Sequence, residues 1–129
     1  MERLILEPTE VSPGGVLNPF DGRMLLYGRS IPENPEAFWS PILAWFYAYA
    51  ADPAAETIFE FKMEYFNIPS SKRILYILNK MQSMHELGQR VAVNWYYYEE
   101  DDFMKEVGSD FSTVVTLPFQ LIKLKEELV

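Results

Sequence analysis

The sequence predicts a mixed α/β (α+β) domain: a sheet that opens as an antiparallel N-terminal meander and carries its helices mainly on one face. Three observations predict it. Turn chemistry crowds the first third of the chain, where Asp21-Gly22 is the strongest hairpin signal. From Asn34 onward the apolar spacing switches between a helical period and an alternating one, giving helix, strand, helix, strand, helix, strand. The chain has 129 residues, 49% of them hydrophobic, with no internal repeat or low-complexity linker, so one domain over residues 1–129 with one core is expected.

Taken in order, residues 3–7 (Arg-Leu-Ile-Leu-Glu) read as a first short strand. Ser12-Pro-Gly-Gly15 reads as a turn, Val16-Leu17 opens a second strand, and residues 23–27 form a third that ends at Gly28. The first helix starts at Asn34, a good N-cap; Pro35 suits the first helical position and Glu36 complements the positive helix end. Phe38, Ile42, Trp45, Phe46 and Tyr49 follow at helical spacing, Trp39 and Leu43 widen the stripe, and Asp52-Pro53 ends it. Residues 56–66 alternate and are rich in aromatics, the pattern of a central strand covered on both faces. The second helix runs from Pro69 to Leu87, with Ile74, Ile77, Leu78, Met81 and Met84 as its buried stripe and Gly88 as its terminal glycine. Residues 90–98 make another strand, residues 101–107 a short third helix that starts in acid, residues 119–124 a last edge strand, and residues 125–129 a tail.

Composition removes several function classes. A net charge of −8 with scattered Lys and Arg argues against nucleic acid, whose phosphates draw on clustered bases. The acidic run Glu99-Glu-Asp-Asp102 reads as a solvated loop that opens a helix, a surface for a basic partner being the alternative. The absence of cysteine excludes disulfides and thiolate metal sites and fits a cytoplasmic protein. The longest apolar run, residues 42–51, falls short of the roughly 20 residues a membrane span needs. The N-terminus has neither the basic region nor the cleavage site of a secretory signal.

Catalytic constellations are scarce. His85 is the single histidine, no Gly-x-Ser-x-Gly is present, and the P-loop and dinucleotide glycine patterns are missing, so neither a metal nor a cofactor is expected. Glu60, Glu64, Asp101 and Asp102 are carboxylates that no spacing brings together. An enzyme is the disfavoured class. In Trp95-Tyr-Tyr-Tyr98 a strand sets Trp95 and Tyr97 on one face and Tyr96 and Tyr98 on the other; exposed tyrosines here, Tyr96 and Tyr98, suit a protein interface better than a base-stacking platform in so acidic a chain.

The segment Asn67-Ile-Pro-Ser-Ser-Lys-Arg73 lies between a strand and the second helix. Pro69 fits the first helical position, so Ser70 and Ser71 fall in the first turn, where backbone N–H groups lack intrahelical partners. One reading is capping by the hydroxyls. The other is a phosphorylation site: a phosphoryl group on Ser70 or Ser71 would put nearly two negative charges at the helix end that favours anions, close to Lys72 and Arg73.

The stretches "YGRSIPENPEAFWSPILAWFYAYA" (27–50), "EFKMEYFNIPSSKRILYIL" (60–78) and "VAVNWYYYEEDD" (91–102) resemble the SiaC family of bacterial regulatory phosphoproteins. The resemblance covers almost the whole chain. It implies a STAS-like fold, similar to anti-sigma-factor antagonists, and a non-catalytic role in a partner switch. In such a switch a cognate kinase and a phosphatase set the state of this loop, and the unphosphorylated form binds and activates a diguanylate cyclase, raising cyclic di-GMP and favouring biofilm formation. The residues implied are Asn67, Ile68, Pro69, Lys72 and Arg73 as the partner-binding loop and Ser70 or Ser71 as phosphoacceptor. The family's usual run here is Asn-Thr-Ser-Ser with the threonine as acceptor. Aligned through Asn67 and Lys72, that threonine falls on Ile68, which takes no phosphate, so either a serine has assumed the role or this member binds constitutively. An anti-sigma-antagonist-like regulator of transcription and a small-ligand-binding domain are the other classes open.

Overall fold

The computed structural model of the protein describes residues 1–125. β1 (Leu4–Leu6), β2 (Gly14–Leu17) and β3 (Arg23–Ser30) form the antiparallel meander; α1 (Pro35–Ala50), β4 (Glu56–Phe66), α2 (Ile68–Glu86), β5 (Arg90–Tyr98), α3 (Asp102–Ser112) and β6 (Phe119–Leu124) then alternate. The strands stand in the sheet in their sequence order, with β3 to β6 mutually parallel. The three parallel connections all step the same way across the sheet, so the usual right-handed crossover lays α1, α2 and α3 on one face.

Burial follows from that. In β4, Thr57, Phe59, Phe61 and Met63 are buried under the helices, while Glu60 is only half-buried and Lys62 and Glu64 are exposed on the open face. The expectation that this strand is covered on both faces is therefore corrected: it is central in the sheet but one-sided. Gly14 and Gly15 lie inside β2 instead of in a turn. A side chain at Gly15 would run into the Leu25 backbone, and one at Gly14 into the Tyr27 ring, so the glycines serve close packing on β3. The β2–β3 hairpin turns between Asn18 and Arg23 with Gly22 at φ +73°. β3 runs two residues past Gly28, to Ser30, and α2 starts at Ile68. The expected tail lies, past Lys125, outside the described residues.

α2 packs chiefly on α1, and α3 chiefly on β5 and β6. What positions α3 is Trp95, fully buried in β5, whose ring lies 5.4 Å from Phe61, 6.0 Å from Phe66, 5.5 Å from Phe111 and 6.4 Å from Phe119 between centroids. Its Nε1–H donates to the Met104 carbonyl at 3.0 Å, satisfying the one polar atom the indole brings into the core. α3 continues to Ser112, well beyond the expected end at residue 107, and Gly108 within it is a contact residue: a Cβ there would overlap the Trp95 indole. In a solvated helix Gly→Ala gains about 1 kcal/mol. Here the overlap of about 1–3 kcal/mol typical of an overpacked core outweighs that gain. Gly108→Ala is expected to lower the urea midpoint, by a net loss of up to about 2 kcal/mol on the same two figures; a raised midpoint would show that α3 does not rest on Trp95.

Candidate functional site

The 67–73 segment sits where β4 hands over to α2, at the carboxyl ends of the parallel strands, the edge at which α/β sheets present their loops to ligands. Its polar chemistry turns inward. Asn67 is the N-cap, with Oδ1 accepting from the Ser70 N–H at 3.1 Å. The Asn67 N–H donates to the Ser30 carbonyl at 3.1 Å, and Ser70 Oγ–H donates to that same carbonyl at 2.9 Å. With its one proton so placed, Ser70 Oγ accepts from Ser30 Oγ–H, 2.7 Å away. Both serines are fully buried. The cap is thus made by Asn67 and not by the hydroxyls, and Ser70 is a structural pin between β3 and α2.

Ser71 lies on the outside of the same turn. It is half-buried, and its N–H makes the first intrahelical bond, to the Asn67 carbonyl at 2.9 Å. With Phe66, Asn67, Ile68, Phe103 and Val107 it lines a notch of about 120 Å³ between the start of α2 and the first two turns of α3. Ile68 is 76% and Phe103 59% exposed, so two large apolar side chains on adjoining elements stand open at its rim. Pro69 holds the first turn, and its carbonyl accepts from Arg73 Nη1 at 3.2 Å, so the half-buried guanidinium serves its own helix. Lys72 is exposed, and among the described residues neither cation is in an ion pair.

The chemistry available elsewhere is thin. A wider open depression of about 490 Å³ lies at the opposite end of the sheet, with His85, Gln89 and Arg90 in its wall. Its lining holds no serine, cysteine or second histidine, and Arg90 is already paired with Glu56 at 3.4 Å. Among the described residues no group of three His, Cys, Asp or Glu is placed to hold a metal, and no helix is long and apolar enough to cross a membrane.

The family model described as "SiaC family regulatory phosphoprotein" matches residues 6–124. The chain belongs to the SiaC family. Among solved structures, apo-SiaC of Pseudomonas aeruginosa matches with a TM-score of 0.89 at 24% identity, over 95% of this chain and 99% of that one. SiaC in the crystal structure of the diguanylate cyclase SiaD in complex with its activator SiaC, also from Pseudomonas aeruginosa, matches with a TM-score of 0.90 at 23% identity, over 94% and 99%. An uncharacterised protein of Pseudomonas aeruginosa strain UCBPP-PA14 is 25% identical over 100 residues, 78% of this chain and 79% of that relative. The expected fold class, a mixed sheet with one-sided helices, is the SiaC fold.

In this SiaC-family chain the structure does not bring Tyr96 and Tyr98 to the 67–73 segment. Both point to the open face of the sheet, away from the helices, beside Leu124 in β6. Tyr98 is exposed, but Tyr96 is engaged: its hydroxyl donates to Glu60 Oε2, and the Lys62 ammonium stands 4.6 Å from its ring centre. Phe103 and Val107, which sequence reasoning missed, supply the far wall of the notch instead. Their i, i+4 spacing directly after the acidic start of α3 was visible, but spacing alone does not say which apolar pair stays uncovered.

Two predictions follow from this geometry. Ser70→Asp would bury a charge among Ser30 and the α2 cap and is expected to cost more than about 3 kcal/mol, whereas Ser71→Asp should stay within about 0.5 kcal/mol of wild type in urea unfolding; equal costs would place both hydroxyls in one environment. The Tyr96 hydroxyl is raised from 10.0 to about 12, first by the hydrogen bond to Glu60, then by burial and the Glu60 charge, with Arg23 opposing. The folded state therefore holds this proton more tightly than the unfolded one. Its stabilising contribution is whole below pH 10 and lost as pH rises through 12. Ultraviolet phenolate titration of Glu60→Gln should show one tyrosine moving back toward its ordinary value.

Proposed function

We propose that this SiaC-family protein is a non-catalytic cytoplasmic regulator that binds and activates a diguanylate cyclase through the start of α2, and that phosphate on Ser71 prevents this binding. The observation that carries the reading is the partly uncovered apolar notch around Ser71. Ile68 and Phe103 flank the hydroxyl, so an anion added there sits where a partner's apolar side chains must make contact. Burying a dianion against such side chains without a paired cation is expensive, and the block needs no conformational change. Family membership and the complex of SiaD with its activator SiaC support the choice of partner class.

Of the two candidate acceptors, Ser71 is favoured because the Ser70 hydroxyl is buried and bonded to Ser30. Ser71 is one helical turn from Ile68, so the two occupy one patch. A kinase and a phosphatase complete the proposed circuit. The exposed Ile68 favours a second reading, in which the apolar side chain serves as a permanent anchor and the protein activates its cyclase constitutively.

The test is cyclase turnover measured with each purified diguanylate cyclase of the host. The unmodified chain and Ser71→Ala are expected to raise turnover of one of them equally, and Ser71→Asp to lose at least about tenfold in apparent affinity, near 1.4 kcal/mol. Full activation by Ser71→Asp would replace the switch with the constitutive reading. No activation of any cyclase would end the cyclase assignment.

A further inference from the structure

Parallel strands are, as a rule, covered on both faces of their sheet. β3 to β6 are parallel, yet α1, α2 and α3 lie on one face, and among the described residues no helix covers the other. That open face is furnished for a protein contact. Ile5, Val16, Tyr27, Tyr65 and Tyr98 stand exposed on it, with Leu25, Ile58 and Tyr96 half-buried between them. Tyr27 lies across Gly14, where any Cβ would meet its ring, and is in register with Lys62 on β4. Tyrosine gives an interface large contact area at small entropic cost, and its hydroxyl can still find a partner at the edge.

Charge selects the occupant. The chain carries −8, so two copies meeting through the helical side would bring like charge together. The open face is different. Its cations are Arg23, Arg29, Lys62 and Arg90, its carboxylates Glu56, Glu60 and Glu64, four against three. The two signs are interleaved. Arg29 pairs with Glu64 at 3.7 Å and Arg90 with Glu56 at 3.4 Å, while Lys62 stands over the Tyr96 ring, whose hydroxyl donates to Glu60. A surface that offers both halves of each pair is self-complementary, as a two-fold contact requires. Its size is sufficient as well. β3 to β6 hold 8, 11, 9 and 6 residues. At about 3.3 Å per residue and about 4.8 Å between strands they present roughly 500 Å² of plane. Two copies, with side chains and the meander added, pass the roughly 1,000 Å² that a specific contact needs.

We propose that two copies of this chain associate through the open faces of their sheets, with Tyr27, Tyr65, Tyr96 and Tyr98 at the contact and the helices of each copy turned outward. The contact stands apart from the partner-binding reading above. It leaves the notch of Ile68, Ser71 and Phe103 free on both copies, so the dimer carries two such notches on its outer sides.

Sedimentation equilibrium of the full chain from about 1 μM to about 1 mM should follow a monomer–dimer equilibrium. Tyr65→Ala combined with Tyr98→Ala is expected to weaken it at least about tenfold. Tyr76, as exposed as Tyr98 but on α2, is the control, and Tyr76→Ala should leave the equilibrium unchanged. Circular dichroism checks the fold of each variant. In wild type, hydroxyl-radical labelling of Tyr65 and Tyr98 should fall as the dimer forms while that of Tyr76 holds, a readout that needs no substitution. A monomer over the whole range overturns the proposal; if the paired substitution then weakens cyclase activation, the face belongs to that partner. A dimer that the paired substitution leaves intact, or that Tyr76→Ala dissolves, overturns it too, because the contact then lies elsewhere.

Discussion

The placement of α3 depends on one indole. Trp95 is the point where β4, β5, β6 and α3 meet, through rings on three neighbouring elements and one hydrogen bond to the α3 backbone. Aromatic contacts of this kind contribute about 1 kcal/mol each beyond burial, and four of them converge on a single side chain. Phe66 belongs to both worlds: its ring is edge-on to Trp95, and it also lines the notch beside Ser71. The notch and the core are therefore one packed unit, and a shift in the indole would displace the Phe103 wall along with the core.

The second constraint is polar. Three groups, the Asn67 N–H, the Ser70 hydroxyl and the Ser30 hydroxyl, converge around the end of β3, where both serines are fully buried. Each such bond nets only about 1 kcal/mol, but an unmatched partner at a fully buried site would cost up to about 3 kcal/mol, so the set behaves as all or nothing. The helix end thereby consumes its own donors. Asn67 N–H and Ser70 N–H are both taken and Pro69 has none, which leaves little for cradling an anion. A phosphoryl group at Ser71 is better pictured as a charge standing out from the surface than as a ligand enclosed by the backbone.

Much of this was legible in the chain. The Asn34-Pro35 start, the Asp21-Gly22 hairpin and the two long amphipathic patterns placed α1, β3, α2 and β5 within a residue or three, because caps, turns and periodicity are local. What escaped was contact-dependent. Pro13-Gly14-Gly15 reads as a turn, yet the glycines are there for the approach of Leu25 and Tyr27; the third helix reads as ending at residue 107, yet it runs on through Gly108, which makes room for Trp95. The one-sidedness of β4 was present in Glu60, Lys62 and Glu64 at alternate positions, but the density of aromatics hid it. Ser70 had its own signal as well. It precedes Ile74 by four residues and Ile77 by seven, on the buried stripe of α2, so its inward turn follows from helical period. The outward pair Ile68 and Phe103 comes from elements whose meeting only the tertiary fold specifies.

The agreement between strand order and sequence order carries a further consequence for biosynthesis. Each strand of the sheet is laid against the one made just before it, so a chain emerging from the ribosome has a docking edge ready for every new strand and never waits for a distant partner. Trp95 is translated before α3 and β6, and its indole stays partly bare until both have been added. The notch between Ile68 and Phe103 is thus completed only after the strands and helices it rests on are in place.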